Sequence, residues 1–343
     1  MQYFTTFFDK NYLSRGLVLI ESLQKHSKAF ELYLLCLDDS TFSYFEANIL
    51  QYPQVKTIQL EDVEKEDCGL LACKSNRSTI EYYFTLSPCL PLYILNKYKL
   101  PHICSLDADI KFYASPEPLF DCLKDSSIII TPHKFSKEIE HLKKYGKNNV
   151  SFQIFKNDEW GLECLKLWRK QCLDWCNDVL DEINGRFADQ KYLDNWEALY
   201  LNKVKVLKDN VSGLAPWNLN NYEITIRNSE FYSNNERVIF YHFHHNKFLN
   251  KRWGTNGFNL YYVNYQKNHL RIYKNYWFNV EKHAEKINNT NENMIRTGNI
   301  LNLENALFKE KTVFLKINKF FIIYLDFRTL NRVIRKILFK IYA

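Results

Sequence analysis

Residues 2–8 form a run of aromatic and β-branched side chains that stops at Asp9, which reads as a strand. In 12–26 the apolar residues Leu13, Leu17, Ile20 and Leu23 recur at helical spacing. A second strand follows over 31–37, ended by Asp38-Asp39-Ser40, a start signal for a helix over 41–51, and a third strand occupies 55–60. Strand, helix, strand, helix, strand at this spacing predicts βαβ units and a parallel sheet.

The pattern continues with a helix over 78–98, expected to break around Ser87-Pro88 and Pro91. The apolar strand His102-Ile103-Cys104-Ser105-Leu106 comes next, then short buried strands at 127–131 and 150–155. A helix over 159–180 carries Leu162, Leu165, Leu167, Trp168 and Trp175; another starts at 189–196, and strands follow at 204–207 and 238–243. After Tyr273 the chain turns polar, with 281–299 rich in Asn, Lys and Glu. These shifts divide it into an α/β body over 1–265, a polar connector with some helix over 266–310, and a tail over 311–343.

The tail changes the reading of the charge. Over 312–343 seven residues are basic (Lys316, Lys319, Arg328, Arg332, Arg335, Lys336 and Lys340) and one is acidic, Asp326. Of the net +7, residues 312–343 therefore supply +6, and the rest of the chain is nearly neutral. Leu330, Val333, Ile334, Ile337, Leu338 and Ile341 form one helical stripe with the cations opposite, as in a helix lying on an anionic membrane surface. A helix docked on its own domain or on a partner has the same pattern. The apolar stripe and the neutral body argue against nucleic acid as a partner. No signal peptide is visible and no run approaches the ~20 apolar residues of a membrane span, so the expected location is the cytoplasm, at the inner face of the membrane. Nine cysteines without a Cys-x-x-Cys pair point to free thiols rather than a zinc cluster.

Candidate chemistry centres on Asp107-Ala108-Asp109, directly after the apolar strand. Alternate residues of a strand share a face, so both carboxylates can point one way with Ala108 turned into the core. Together with diphosphate oxygens and water they can complete the shell of Mn²⁺ or Mg²⁺. His242 and His244, two apart in a late strand, can each supply an imidazole to that cation or serve as hydrogen-bonded structural residues. Asp189-Gln190, after the turn-like Asn184-Gly185-Arg186, can present polar groups to a sugar or cap a helix over 190–196. Lys74, Arg77, Lys247, Lys251 and Arg252 are cations able to neutralise a diphosphate. Trp217-Asn218 suits either an acceptor subsite or a structural role.

Together these motifs resemble the GT-A glycosyltransferases, most nearly glycosyltransferase family 8, the group with glycogenin and the bacterial lipooligosaccharide galactosyltransferases. The resemblance spans roughly residues 1–250. Leu106-Asp107-Ala108-Asp109 is similar to the family's metal and nucleotide-sugar motif. Asn149-Val150-Ser151 is similar to its Asn-x-Gly strand, Asp189-Gln190-Lys191-Tyr192-Leu193-Asp194 to its Asp-Gln-x-x-Leu-Asn segment, and Tyr241-His242-Phe243 to its late histidine strand. The resemblance implies a Rossmann-like, mostly parallel sheet flanked by helices. It implies Asp107, Asp109 and His242 (or His244) as ligands of Mn²⁺ on the diphosphate of a UDP-sugar. It further implies Thr5, Thr6 and Tyr12 near the nucleotide base, Asp189 on donor-sugar hydroxyls, Gln190 near the anomeric carbon, and transfer to a glycan with retention of configuration. The chain departs from the family in Ser151, which stands for the glycine of the strand motif. It departs also in His245, which stands for the glycine of a late His-x-x-Gly, and in lacking the Pro-Trp of the Lys-Pro-Trp that follows.

Two rivals fit less well. A sugar nucleotidyltransferase opens on a glycine-rich loop, absent from Phe7-Phe8-Asp9-Lys10, and dehalogenase-type phosphatases carry Asp-x-Asp on their first strand.

Overall fold

In the computed structural model the described residues are 1–248, 253–264 and 266–290, with the backbone of 314–317 and 320–322. The α/β body opens as expected: β1 (Gln2–Phe8), α1 (Leu13–His26), β2 (Phe30–Cys36), α2 (Asp39–Ala47) and β3 (Val55–Gln59). Two short helices, α3 (Leu60–Glu66) and α4 (Cys68–Cys73), precede α5 (Thr79–Tyr98) and β4 (His102–Leu106). After β5 (Ile110–Phe112), α6 (Glu117–Asp121) and β6 (Ile128–Pro132), the long β7 (Asn148–Lys156) leads into α7 (Glu159–Asp174).

The main sheet has seven strands in the order β3-β2-β1-β4-β7-β6-β8, where β8 is Val204–Val206. Strands β3, β2, β1 and β4 run parallel, whereas β7 is antiparallel to both β4 and β6. The sheet is thus mostly parallel and flanked by helices, with one reversed strand. Alternation along β2 places Leu32, Leu34 and Cys36 in the core under α1 and α2, and Tyr33 and Leu35 in the core under α5 and α7. Both faces are covered, which is why these strands read as continuous apolar runs. Strand order reverses between β1 and β4, and in open α/β sheets the crevice beyond the carboxyl ends at such a point is where ligands bind.

Helix α5 does not break at its prolines. A capping box between Ser78 and Glu81 starts it, and Tyr82, Thr85 and the run Leu86 to Leu95 are buried around Pro88 and Pro91. Burial on every side outweighs the two missing amide hydrogen bonds. Helix α7 ends at Asp174, short of 180, and 190–195 is a 3₁₀ turn running into α8 (Trp196–Leu199).

Beyond the main sheet, β9 (Ile224–Arg227), β10 (Glu230–Ser233) and β11 (Glu236–Arg237) form a meander, and β12 (Phe240–His242) pairs antiparallel with β5. Strands β13 (Lys247–Phe248) and β14 (Trp253–Thr255) follow. Then α9 (Lys267–Thr290) buries Ile272, Tyr273, Tyr276, Val280 and Ile287. The segment expected as a connector therefore begins as a helix packed on the body. In the tail, 314–317 and 320–322 are strands β15 and β16, added to β14. The helical stripe of residues 330–341 lies outside the described residues. No helix among the described residues is long and apolar enough to cross a membrane.

Candidate active site

Asp107-Ala108-Asp109 is a turn between β4 and β5, not the end of a strand. The chain leaves the sheet here: Asp107 N–H still donates to Ser151 O of β7 (3.0 Å), and Ile110 N–H closes the turn on Asp107 O (3.3 Å). Ala108 is buried, as expected, but the two carboxylates converge through the turn rather than through strand alternation.

The register of β12 on β5 sets His242 opposite Ile110, while Phe243 N–H donates to Asp109 O (2.9 Å). His242 Nε2 consequently lies 3.0 Å from Asp109 Oδ1 and 3.5 Å from Asp107 Oδ2. The ligand atoms of the three residues all lie within 4.8 Å of one another, the only such grouping among the described residues. Two carboxylate oxygens and one imidazole nitrogen make a donor set suited to Mn²⁺ or Mg²⁺, with room for oxygen ligands from a substrate. His244 lies just past the strand end with its ring 5.4 Å from that of His242, and is not part of the grouping.

Charge is concentrated here. Burial pushes the Asp109 carboxyl up, but His242, helped by His244 and Arg15, more than offsets this and leaves it at about 2. Asp107 is raised by burial to about 6, the attraction of His242 being insufficient to reverse it. For His242, burial disfavours the cation, yet Asp109 and Asp107 together hold its pKa above the ordinary value. A metal ion must displace the His242 proton. Affinity for Mn²⁺ should therefore rise steadily from pH 5 to pH 8 as His242 and Asp107 deprotonate, with protons released on binding. Calorimetric titration in two buffers of different ionisation enthalpy measures that release; a flat profile would contradict this electrostatic picture.

Trp217 packs edge-on to His242 (5.3 Å between ring centroids), His244 (5.1 Å) and His133 (5.1 Å). It is buried and holds the His242 ring from the side, a role the sequence left open. Asn218 is spent on the backbone, donating to His133 O (3.0 Å) and Gly213 O (2.8 Å).

Asp189 lies on the chain after Ala188, which takes a left-handed φ of 46°. Trp168 Nε1–H donates to its carbonyl (2.9 Å). Its carboxylate makes no N-cap bond to the 3₁₀ turn. Side-chain Oδ2 is buried without a hydrogen-bond partner. Burial raises its pKa to about 7; the Ser87 hydroxyl offsets part of this, and the charge of Asp107 adds to it. Gln190 donates through Nε2 to Tyr145 O (3.1 Å), which ties the turn to the loop before β7. On β7, Asn149 Oδ1 accepts from Ser151 N–H (3.1 Å) and Oγ–H (2.5 Å), while its Nδ2 is buried and unpartnered.

The remaining expected residues divide. Tyr12 is half-exposed at the end of the β1–α1 turn, under the Arg15 guanidinium (4.5 Å). Thr5 donates through Oγ1 to Tyr33 O (2.9 Å) inside the sheet, and Thr6 is buried beside it. Arg77 donates to Leu173 O at the end of α7 (3.2 Å) and to Asn76 Oδ1 (3.1 Å). Lys247 begins β13, near enough to His245 to depress its pKa after burial has done most of the work. Arg15 was not singled out by its spacing: α1 is buried on all sides from Leu13 to Ile20, so no polar face marks it.

No family model matches the chain. It is 28% identical over 243 residues to the uncharacterized protein YfnD of Bacillus subtilis (strain 168), covering 70% of this chain and 76% of that one. The fold is similar to the apo form of mouse xyloside xylosyltransferase 1 at 14% identity, over 70% of this chain and 97% of that one (TM-score 0.47). It is similar also to the galactosyltransferase LgtC, solved with donor and acceptor sugar analogues, at 15% identity over 63% and 76% of the two chains (TM-score 0.46).

Proposed function

We propose that this chain is a metal-dependent glycosyltransferase that moves a hexose or N-acetylhexosamine from a UDP-sugar to a growing surface glycan, with retention of configuration. The observation that carries the reading is the convergence of Asp107, Asp109 and His242 just past the carboxyl end of β4, beside the point where strand order reverses. A divalent cation held there supplies Lewis-acid charge to a departing diphosphate. The protein groups divide the remaining work. Asp189 Oδ2, buried and unpartnered, is suited to accept a hydrogen bond from a donor-sugar hydroxyl, and the Asn149 amide to donate one. Gln190, fixed by Tyr145 O, takes the place beside the anomeric carbon that the motif resemblance implies. In the same reading the basic stripe over 330–341 keeps the enzyme at an anionic membrane surface, next to a lipid-linked acceptor.

A donor screen tests the proposal. With Mn²⁺ present, one UDP-sugar at about a hundred times its Kd should add roughly 2.7 kcal/mol of stability, and the shift should vanish with EDTA. Free UDP should then accumulate only when a glycan acceptor is added. If no nucleotide sugar stabilises the protein in the presence of Mn²⁺, the proposal fails; UDP release without an acceptor makes it a phosphohydrolase instead.

A further inference from the structure

Arg15 stands in the first turn of α1 and is only 7% exposed. Its guanidinium spans two segments far apart in sequence, donating through Nη1 to Asn11 O (3.3 Å) and through Nη2 to Asn246 O (3.2 Å). It also covers the Tyr12 ring. Asn246 comes four residues after His242, on a turn closed by its own N–H to Phe243 O (3.1 Å) and by His245 at φ 55°. Thr255 Oγ1–H donates to His245 O (3.3 Å), fastening the turn from the other side. The Asn246 side chain is 5% exposed, and both its Oδ1 and its Nδ2 are buried without hydrogen-bond partners.

A buried amide with neither end satisfied costs about 1–3 kcal/mol for each unmade bond, and such groups call for an explanation. Here the orphan amide shares its residue with the carbonyl that anchors a permanent cation. Both sit one turn beyond the imidazole of the candidate metal site. A ligand that joins these elements must carry anionic oxygens at two points: one for the cation between the carboxylates, one for a planar guanidinium fork. A diphosphate meets both demands, and the fork suits phosphate better than an ammonium would.

We propose that Arg15 and the Asn246 side-chain amide form the seat for the distal phosphate of the nucleoside diphosphate. This deepens the glycosyltransferase reading and rests on it. When the bond from the anomeric carbon to the phosphate oxygen breaks, its electron pair stays on that oxygen and adds one negative charge. Arg15 offsets that charge without itself reacting.

The test compares UDP, UMP, inorganic pyrophosphate and Mn²⁺ alone by calorimetry on the full chain and on Arg15→Met, Arg15→Lys and Asn246→Ala. UMP lacks the distal phosphate. Arg15→Met should weaken UDP and pyrophosphate binding with Mn²⁺ by about 10- to 100-fold and UMP binding by less than about threefold, with Mn²⁺ alone bound at least as tightly as before. Arg15→Lys should recover part of the loss, and Asn246→Ala should show the same preference for UDP loss in a smaller degree. Should Arg15→Met fail to fold, the other two variants carry the comparison. Equal losses for UDP and UMP, or none for UDP, overturn the seat and leave the transferase reading standing. Binding of pyrophosphate but of no uridine nucleotide, still dependent on Arg15, keeps the seat and removes the UDP-sugar. If the unmodified protein binds no diphosphate with Mn²⁺, both fall.

Discussion

Asp109→Asn and Asp107→Asn should each abolish turnover, by a factor on the order of 10³ or more, and yet change the stability of the metal-free protein differently. Asp109 has the depressed pKa of about 2 and a 3.0 Å contact with His242. A carboxylate depressed in the folded state contributes stability above its unfolded pKa and loses it as pH falls toward the folded value. Its replacement should therefore cost about 2 kcal/mol at pH 7. Asp107 is raised to about 6, and its side chain is 37% exposed, so solvent screens much of that unfavourable charge. Asp107→Asn should leave metal-free stability unchanged or raise it by less than about 1 kcal/mol. Mn²⁺ affinity should fall in both. Denaturant titration beside Mn²⁺ titration checks the pair. Robust turnover in either variant would remove the metal site from the chemistry; equal destabilisation would contradict the assigned charges.

The second large effect falls on Asp189. Its pKa of about 7 lies well above the ordinary carboxylate value, because the group is only 1% exposed and close to Asp107. Folding is penalised once the unfolded carboxyl ionises, and the penalty grows between about pH 4 and pH 7 before levelling off. Asp189→Asn should therefore leave stability near that of the unmodified protein at pH 4. At pH 8 it should raise stability by roughly 4 kcal/mol. Turnover in the same variant should drop by about 10²- to 10³-fold, because an amide cannot reproduce both acceptor oxygens for a sugar hydroxyl. A site kept at a cost to stability is expected where function requires an unsatisfied group. Unchanged stability at pH 8 would show that the carboxylate finds a partner in the free protein, and unchanged turnover would separate it from the donor.

Much of this body is written in local pattern. The strands and helices from β1 to β4 follow from the period of apolar residues, and the carboxylate turn was found from its place after an apolar strand. The meander at 224–237 was missed, although the signal existed. Asn228-Ser229 and Asn234-Asn235 all take left-handed φ between 48° and 71°, as two-residue turns between strands require, and asparagine tolerates that conformation. Residues 238–243 were expected as one strand. The structure pairs only Phe240–His242 with β5 and turns the chain at His244-His245, which separates the two histidines in role. Arg15, Asn246 and the Trp217 brace on His242 left no trace in spacing, because each matters through a partner distant along the chain.

Residue type and order determined the layered α/β body and the identity of the candidate hard-ligand residues, because strand and helix periods and the affinity of carboxylates for divalent ions are properties of short segments. Folding alone decided that Asp107 and Asp109 meet through a turn, that His242 rather than His244 joins them, and that Arg15 reaches Asn246 across 231 positions. Those contacts depend on the antiparallel register of β12 on β5 and on how α1 packs beside it, and such long-range registers have no local period to betray them.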